Sequence, residues 1–94
     1  MSLNTITVEL PRMLADLIGG PRRIDVVASS IGEAIEAVAR DLPALRVHLF
    51  EESDALRRHV NVFRNDLIII GAERHLEPVD PGDTVTIAQA ASGG

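Results

Sequence analysis

Residues 5–10 alternate strictly, with Thr5, Thr7 and Glu9 polar and Ile6, Val8 and Leu10 apolar. A period of two predicts a strand with one buried face. Pro11 ends it, and Gly19-Gly20-Pro21 marks a turn, so 11–20 reads as a loop. Arg23 to Ala28 is a second extended segment with Ile24 and Val26 on one face. Ser30-Ile31-Gly32-Glu33 then has the S-x-x-E form of a capping box, which predicts a helix immediately after it. Ile31, Ala34, Ile35, Val38, Ala39 and Leu42 recur at three- and four-residue spacing, while Glu33, Glu36, Arg40 and Asp41 face water. Pro43 stops the helix, whose stripe is read as core because a small sheet needs a helix on its apolar face.

The second half reads as strands around two turns. In 43–58, Leu45, Leu49 and Phe50 suggest a helical turn, and Glu51-Glu52-Ser53-Asp54 an exposed acidic loop. His59 to Arg64 alternates, with Val60 and Val62 inward and His59, Asn61 and Phe63 outward. Asn65-Asp66 is a turn pair before Leu67 to Ile70, which completes a hairpin. Asp80-Pro81-Gly82-Asp83 is a further turn signal, and Thr84 to Ala88 follows with Val85 and Ile87 inward. One main helix on a mixed sheet of four to five strands is the α+β β-grasp, or ubiquitin-like, order. In that fold the first and last strands pair in parallel at the centre. Residues 1–88 are thus expected to form the domain and 89–94 a flexible tail ending in Gly-Gly.

Composition narrows the chemistry. Ninety-four residues make one small domain, too short for a deep, independently built active site. There is no cysteine, so no disulfide, thiolate metal site or cysteine nucleophile is expected. A net charge of -5 with only two aromatic residues argues against nucleic acid. Met1-Ser2-Leu3-Asn4-Thr5 lacks signal-peptide character and Leu67 to Ile70 is too short to span a bilayer, so a cytoplasmic protein away from membranes is expected. All nine basic residues are arginine, a bias for which GC-rich coding is the simpler cause, so the chain has no side-chain amine for Schiff-base or isopeptide chemistry.

Several candidate sites fall away on spacing. His48, His59 and His75 lack the i, i+4 spacing of a helical zinc pair, and no metal site is expected. Gly19-Gly20 lacks the phosphate-loop pattern, Glu51, Glu52 and Asp54 read as a solvated face, and Ser92 has no elbow motif. Phe63 has two open roles: an outward docking ring beside Thr86 and Ala88, or satellite core beneath 43–58. Gly93-Gly94 closes the sequence. Without Cβ atoms a glycine pair can lie flat in a narrow channel and present the terminal carboxylate to another enzyme.

With this element order and the diglycine together, the chain resembles the bacterial ubiquitin-like sulfur carriers, the MoaD/ThiS family. The resemblance rests on Val60-Asn61-Val62-Phe63-Arg64-Asn65-Asp66, on Asp80-Pro81-Gly82-Asp83-Thr84-Val85-Thr86-Ile87 and on Gly93-Gly94. In length, in the Pro11 to Gly20 stretch and in the long segment before Val60 it is most similar to the type serving cysteine biosynthesis. The small subunit of molybdopterin synthase is the alternative, with a protein modifier or a plain interaction domain as further readings.

The resemblance implies a carrier that is a protein cosubstrate and not an enzyme. An E1-like adenylating enzyme (MoeB/ThiF-like) would use ATP and Mg to attach AMP to the Gly94 carboxylate, and sulfur would displace AMP to leave a thiocarboxylate. The acceptor would be a sulfur-accepting synthase, either cysteine synthase-like or the molybdopterin synthase large subunit, with a metallopeptidase releasing cysteine in the first route. Gln89, Ala90, Ala91, Ser92 and Gly93 would form the arm that enters the partner, and Phe63, Thr86 and Ala88 the docking patch. Many members carry proline where this chain has Gln89, which bears on which partner is served.

Overall fold

A computed structural model of the chain describes residues 4–89. Its strands are β1 (Thr5–Glu9), β2 (Arg23–Val27), β3 (Val60–Arg64), β4 (Leu67–Ile69) and β5 (Thr84–Gln89), in the sheet order β2-β1-β5-β3-β4. β1 runs antiparallel to β2 and parallel to β5, and β3 runs antiparallel to β4 and β5. The last strand is therefore central, as the β-grasp order requires.

Inward side chains of four strands, Ile6, Val8, Val26, Val60, Val62, Val85 and Ile87, form one core with α2 (Ile31–Asp41), which contributes Ile31, Ala34, Ile35, Val38 and Ala39. The helix begins as the sequence dictates: Ser30 Oγ accepts from the Glu33 N–H at 3.2 Å, and Glu33 Oε1 accepts in return from the Ser29 N–H at 2.9 Å. Such a cap contributes about 1 kcal/mol. Glycine at 32 matters because a Cβ there would meet the His75 carbonyl oxygen at 3.0 Å, so the 3₁₀ turn Arg74–Leu76 could not approach the first turn of α2 so closely.

The segment 11–20 differs from the expected loop, since it contains the helix α1 (Arg12–Ile18). Pro11 ends β1 and also starts α1: its φ of -63° suits a helix entry, and its carbonyl accepts from the Ala15 N–H at 3.0 Å. Gly19, at φ 66°, closes the helix in the left-handed conformation, with its own N–H and that of Gly20 returning to Asp16 and Ala15. Leu14 and Ala15 are buried, but Met13 and Leu17 point to solvent. Seven residues with apolar groups on both faces do not display a helical stripe.

Between α2 and β3, a 3₁₀ turn (Pro43–Leu45) leads into α3 (Arg46–Leu49), and Leu45, Leu49 and Phe50 join the core. Arg46 ties this segment to α2. Its guanidinium bonds Glu36 at 3.1 Å and Asp54 at 3.2 Å and lies 4.7 Å from the centre of the Phe50 ring. No helix among the described residues is long and apolar enough to cross a membrane.

Candidate functional site

Helices cover one face of the sheet and leave the other open. Strand alternation brings one row of that open face across all five strands: Ile68 opposes Phe63, Phe63 opposes Thr86, Thr86 opposes Glu9 and Glu9 opposes Arg23. The next row pairs Asn61 with Ala88. The face is graded sideways, apolar at Phe63 and Ile68 and polar at Glu9, Thr7, Asp25 and Arg23, where Thr7 Oγ1 donates to Asp25 at 2.8 Å.

The register thus places Phe63, Thr86 and Ala88 together. Phe63 is half-buried between its neighbours, and the hydrophobic residues packed against the core do not include it among the described residues. It lies across the sheet from Leu45, Leu49 and Phe50, so it is not satellite core beneath 43–58. Ile68, 43% exposed and opposite Phe63, extends the apolar patch. Sequence reasoning passed it over because Leu67 to Ile70 is apolar throughout and carries no alternation to tell its faces apart.

β5 continues through Gln89, which opposes Val60, one residue past the end read from the sequence. A side chain at this solvent-exposed position carries no periodic signal, yet its backbone still completes the ladder with β3. Among the described residues Gln89 therefore belongs to the central strand. Ala90, Ala91, Ser92, Gly93 and Gly94 lie outside the described residues.

A polar clasp holds the opposite end of β5. Arg64 donates to Asp83 at 2.8 Å, to Asp80 at 3.0 Å and to Glu77 at 3.4 Å. Asn65, at φ 54°, donates through Nδ2 to Asp83 and accepts from the Thr84 N–H at 3.0 Å. Gly82, at φ 88°, makes the Asp80-Pro81-Gly82-Asp83 turn possible. The Asp80 N–H first, and the Arg64 guanidinium second, hold the Asp83 carboxyl below its ordinary value of 3.8.

A depressed carboxyl stabilises the fold above its unfolded pKa, and that contribution disappears as pH falls through the folded value. Asp83→Asn should therefore melt lower than wild type at pH 7, and the gap should narrow on acidification below pH ~4. Thermal melts from pH 7 to 2.5 check this; a gap constant with pH would mean that the charge is not what matters.

His48 lies in α3, His59 just before β3 and His75 in the 3₁₀ turn Arg74–Leu76. No three His, Asp or Glu side chains among the described residues are grouped to hold a metal ion.

No family model matches the chain. It is 26% identical over 91 residues to the sulfur carrier protein CysO of Mycobacterium tuberculosis, covering 95% of this chain and 98% of that one. The crystal structure of SAMP1 from Haloferax volcanii superposes with a TM-score of 0.82 at 27% identity, covering 96% of this chain and 99% of that one. The Amycolatopsis orientalis BexX/CysO complex contains a chain that matches with a TM-score of 0.80 at 29% identity, over 95% of this chain and 99% of that one. The likeness runs through the whole fold, with the diglycine placed after its central strand. The chain has the ubiquitin-like β-grasp fold and is similar over nearly its whole length to a sulfur carrier protein and to SAMP1.

Proposed function

We propose that this protein is a sulfur carrier whose Gly94 carboxylate is adenylated by an E1-like enzyme and then converted to a thiocarboxylate. The observation that carries the reading is a Gly-Gly sequence that begins four residues after Gln89 of a central strand paired on both sides, in a chain similar to CysO over nearly its full length. The chemistry needs no catalytic group on the chain. A carboxylate oxygen attacks the α-phosphorus of ATP and releases pyrophosphate, and the mixed anhydride that forms has AMP as a good leaving group. Sulfide then adds to the carbonyl carbon and AMP departs, leaving the thiocarboxylate. Mg and ATP belong to the activating partner. The cysteine route is favoured for the acceptor, with molybdopterin synthesis as the alternative.

Intact mass after incubation with an E1-like enzyme, Mg-ATP and sulfide tests this. The expected gain is the difference between one sulfur and one oxygen atom; an unchanged mass with several competent activating enzymes overturns the reading. A second reading, a protein modifier joined through Gly94 to amines, draws on the likeness to SAMP1, a small archaeal modifier protein. Heavier conjugates on a lysate blot would favour it over the carrier.

The Phe63, Ile68, Thr86 and Ala88 patch would seat the partner, with the half-buried ring as anchor. Aromatic anchors at interfaces contribute about 2 kcal/mol or more, so Phe63→Asp should lower the efficiency of adenylation roughly thirtyfold. The melting temperature should barely move, because the ring does not pack on the core. Pyrophosphate-exchange kinetics with a parallel thermal melt separate docking from folding.

A further inference from the structure

We propose that Arg74 is a positioning residue for the tail: its guanidinium braces the start of β3, against which the last described residues of β5 lie, and so fixes the point from which the diglycine is presented; this rests on the carrier reading above. β5 is not held equally along its length. β1 pairs with it from Thr7–Thr84 to Glu9–Thr86, whereas β3 pairs with it as far as Val60–Gln89. Among the described residues, Ile87, Ala88 and Gln89 therefore lie against Val62, Asn61 and Val60 and against no second strand. The Gly-Gly sequence begins four residues later.

The start of β3 has no strand on its outer side. β4 ends at Ile69, opposite Val62, and in the same register Gly71 would oppose Val60. Gly71, at φ 108°, instead turns the chain away in a conformation that suits glycine. The Arg74 N–H donates to the Gly71 carbonyl at 3.2 Å and closes that turn. The Arg74 side chain then returns to the gap that β4 leaves. One Nη donates to the Val60 carbonyl and the other to the Arg57 carbonyl, the latter at 2.9 Å. The Arg57 carbonyl also accepts from the Val60 N–H at 3.1 Å, so one guanidinium tethers both ends of the turn 57–60 that launches β3.

The environment of Arg74 fits bracing and not charge pairing. It is half-buried, forms no ion pair among the described residues, and burial holds its pKa below the ordinary value. Burying such a cation is costly unless its donors are satisfied, and here two backbone carbonyls satisfy them. A rigid, planar fork spans two acceptors at once, which an ammonium on a flexible stem does not. Without the brace, the turn 57–60 and the Val60–Gln89 pair would loosen together, and the stretch beyond the last firmly held residue would begin at 87 rather than at 90.

Arg74→Gln, Arg74→Lys and a control, Asp83→Asn, which loosens the opposite end of β5, should be compared with wild type by amide hydrogen exchange and by adenylation with the E1-like enzyme, all well below their melting points. Arg74→Gln should speed exchange in 60–62 and 87–89 about tenfold relative to α2. It should lower kcat about fivefold, because the carboxylate is less often held in place, while KM for this protein stays within about twofold, because the Phe63 and Ile68 anchor lies outside the loosened pairs. Arg74→Lys should fall between Arg74→Gln and wild type. The loss should persist at high salt, since the brace acts on neutral carbonyls at close range. Asp83→Asn should keep the wild-type kcat. Unchanged exchange in 87–89, an equal loss of kcat in Asp83→Asn, or a loss that vanishes at high salt overturns the brace. Wild-type thiocarboxylation, read by mass in the same reactions, separates the two claims. A gain in mass with kcat unchanged in Arg74→Gln sinks the brace alone, and no gain sinks both.

Discussion

Deletion of Gly94 should abolish thiocarboxylate formation while leaving the melting temperature unchanged. The core is built between Ile6 and Ile87, and the last ladder pair is Val60 with Gln89, so no fold contact described in the structure depends on the final residue. The proposed chemistry depends on it entirely. Removing it leaves Gly93 as the terminal carboxylate, shortened by one residue, or about 3.5 Å of extended chain. Misplacing a reacting carbon by as little as 1 Å can cost about a hundredfold in rate, and a full residue withdraws it from the adenylating site. Gly93→Ala should be intermediate, because it keeps the reach but adds a Cβ where the carrier reading has bare backbone enter the partner. Intact mass and pyrophosphate release, measured beside a thermal melt, give the result. A thiocarboxylate on the truncated chain would mean that the terminal position does not define the acyl donor.

How much the sequence reveals differs sharply between elements. β1 and β3 are legible because alternation is read directly from single residues, and the hairpin to β4 because Asn65 in the left-handed conformation is what an Asn-Asp turn pair anticipates. α2 is legible twice, through its stripe and through Ser30 and Glu33. α1 is hidden, since Met13 and Leu17 are apolar and exposed while Pro11 reads as a breaker when it is also a helix start. The 43–58 segment is hidden because the Arg46 contacts that order it, to Glu36, Asp54 and Phe50, run to residues four to ten positions away and leave no period.

The site divides in the same way. Phe63, Thr86 and Ala88 can be brought together from strand parity once the β3–β5 pairing is assumed. Ile68, the Arg64 clasp and the Arg74 tether need the three-dimensional register. Nothing in the spacing of Arg57 and Arg74 suggests that one guanidinium holds the carbonyl of the other residue.

Ile35→Ala should be the most damaging single change to the fold. Ile35 is fully buried at the middle of α2, four residues from Ile31 and Ala39, where the helix lies on the sheet. Truncation removes apolar contact and leaves a cavity that a closely packed helix–sheet layer cannot collapse, at a cost of about 2–5 kcal/mol. Domains of this size have only about 5–15 kcal/mol in hand, and each kcal/mol shifts the melting point by roughly 4–8 °C, so a drop on the order of 20 °C is expected. The tail chemistry should respond quite differently from the Gly94 deletion. On the carrier reading, well below its melting point the variant should form thiocarboxylate at a near-normal rate, because the proposed docking patch is on the open face and Ile35 is in the helical layer. Near its melting point the rate should fall with the folded fraction. Thermal melts combined with adenylation rates at two temperatures check this. A rate already lost in the cold, folded variant would move the recognition surface to the helical side of the sheet.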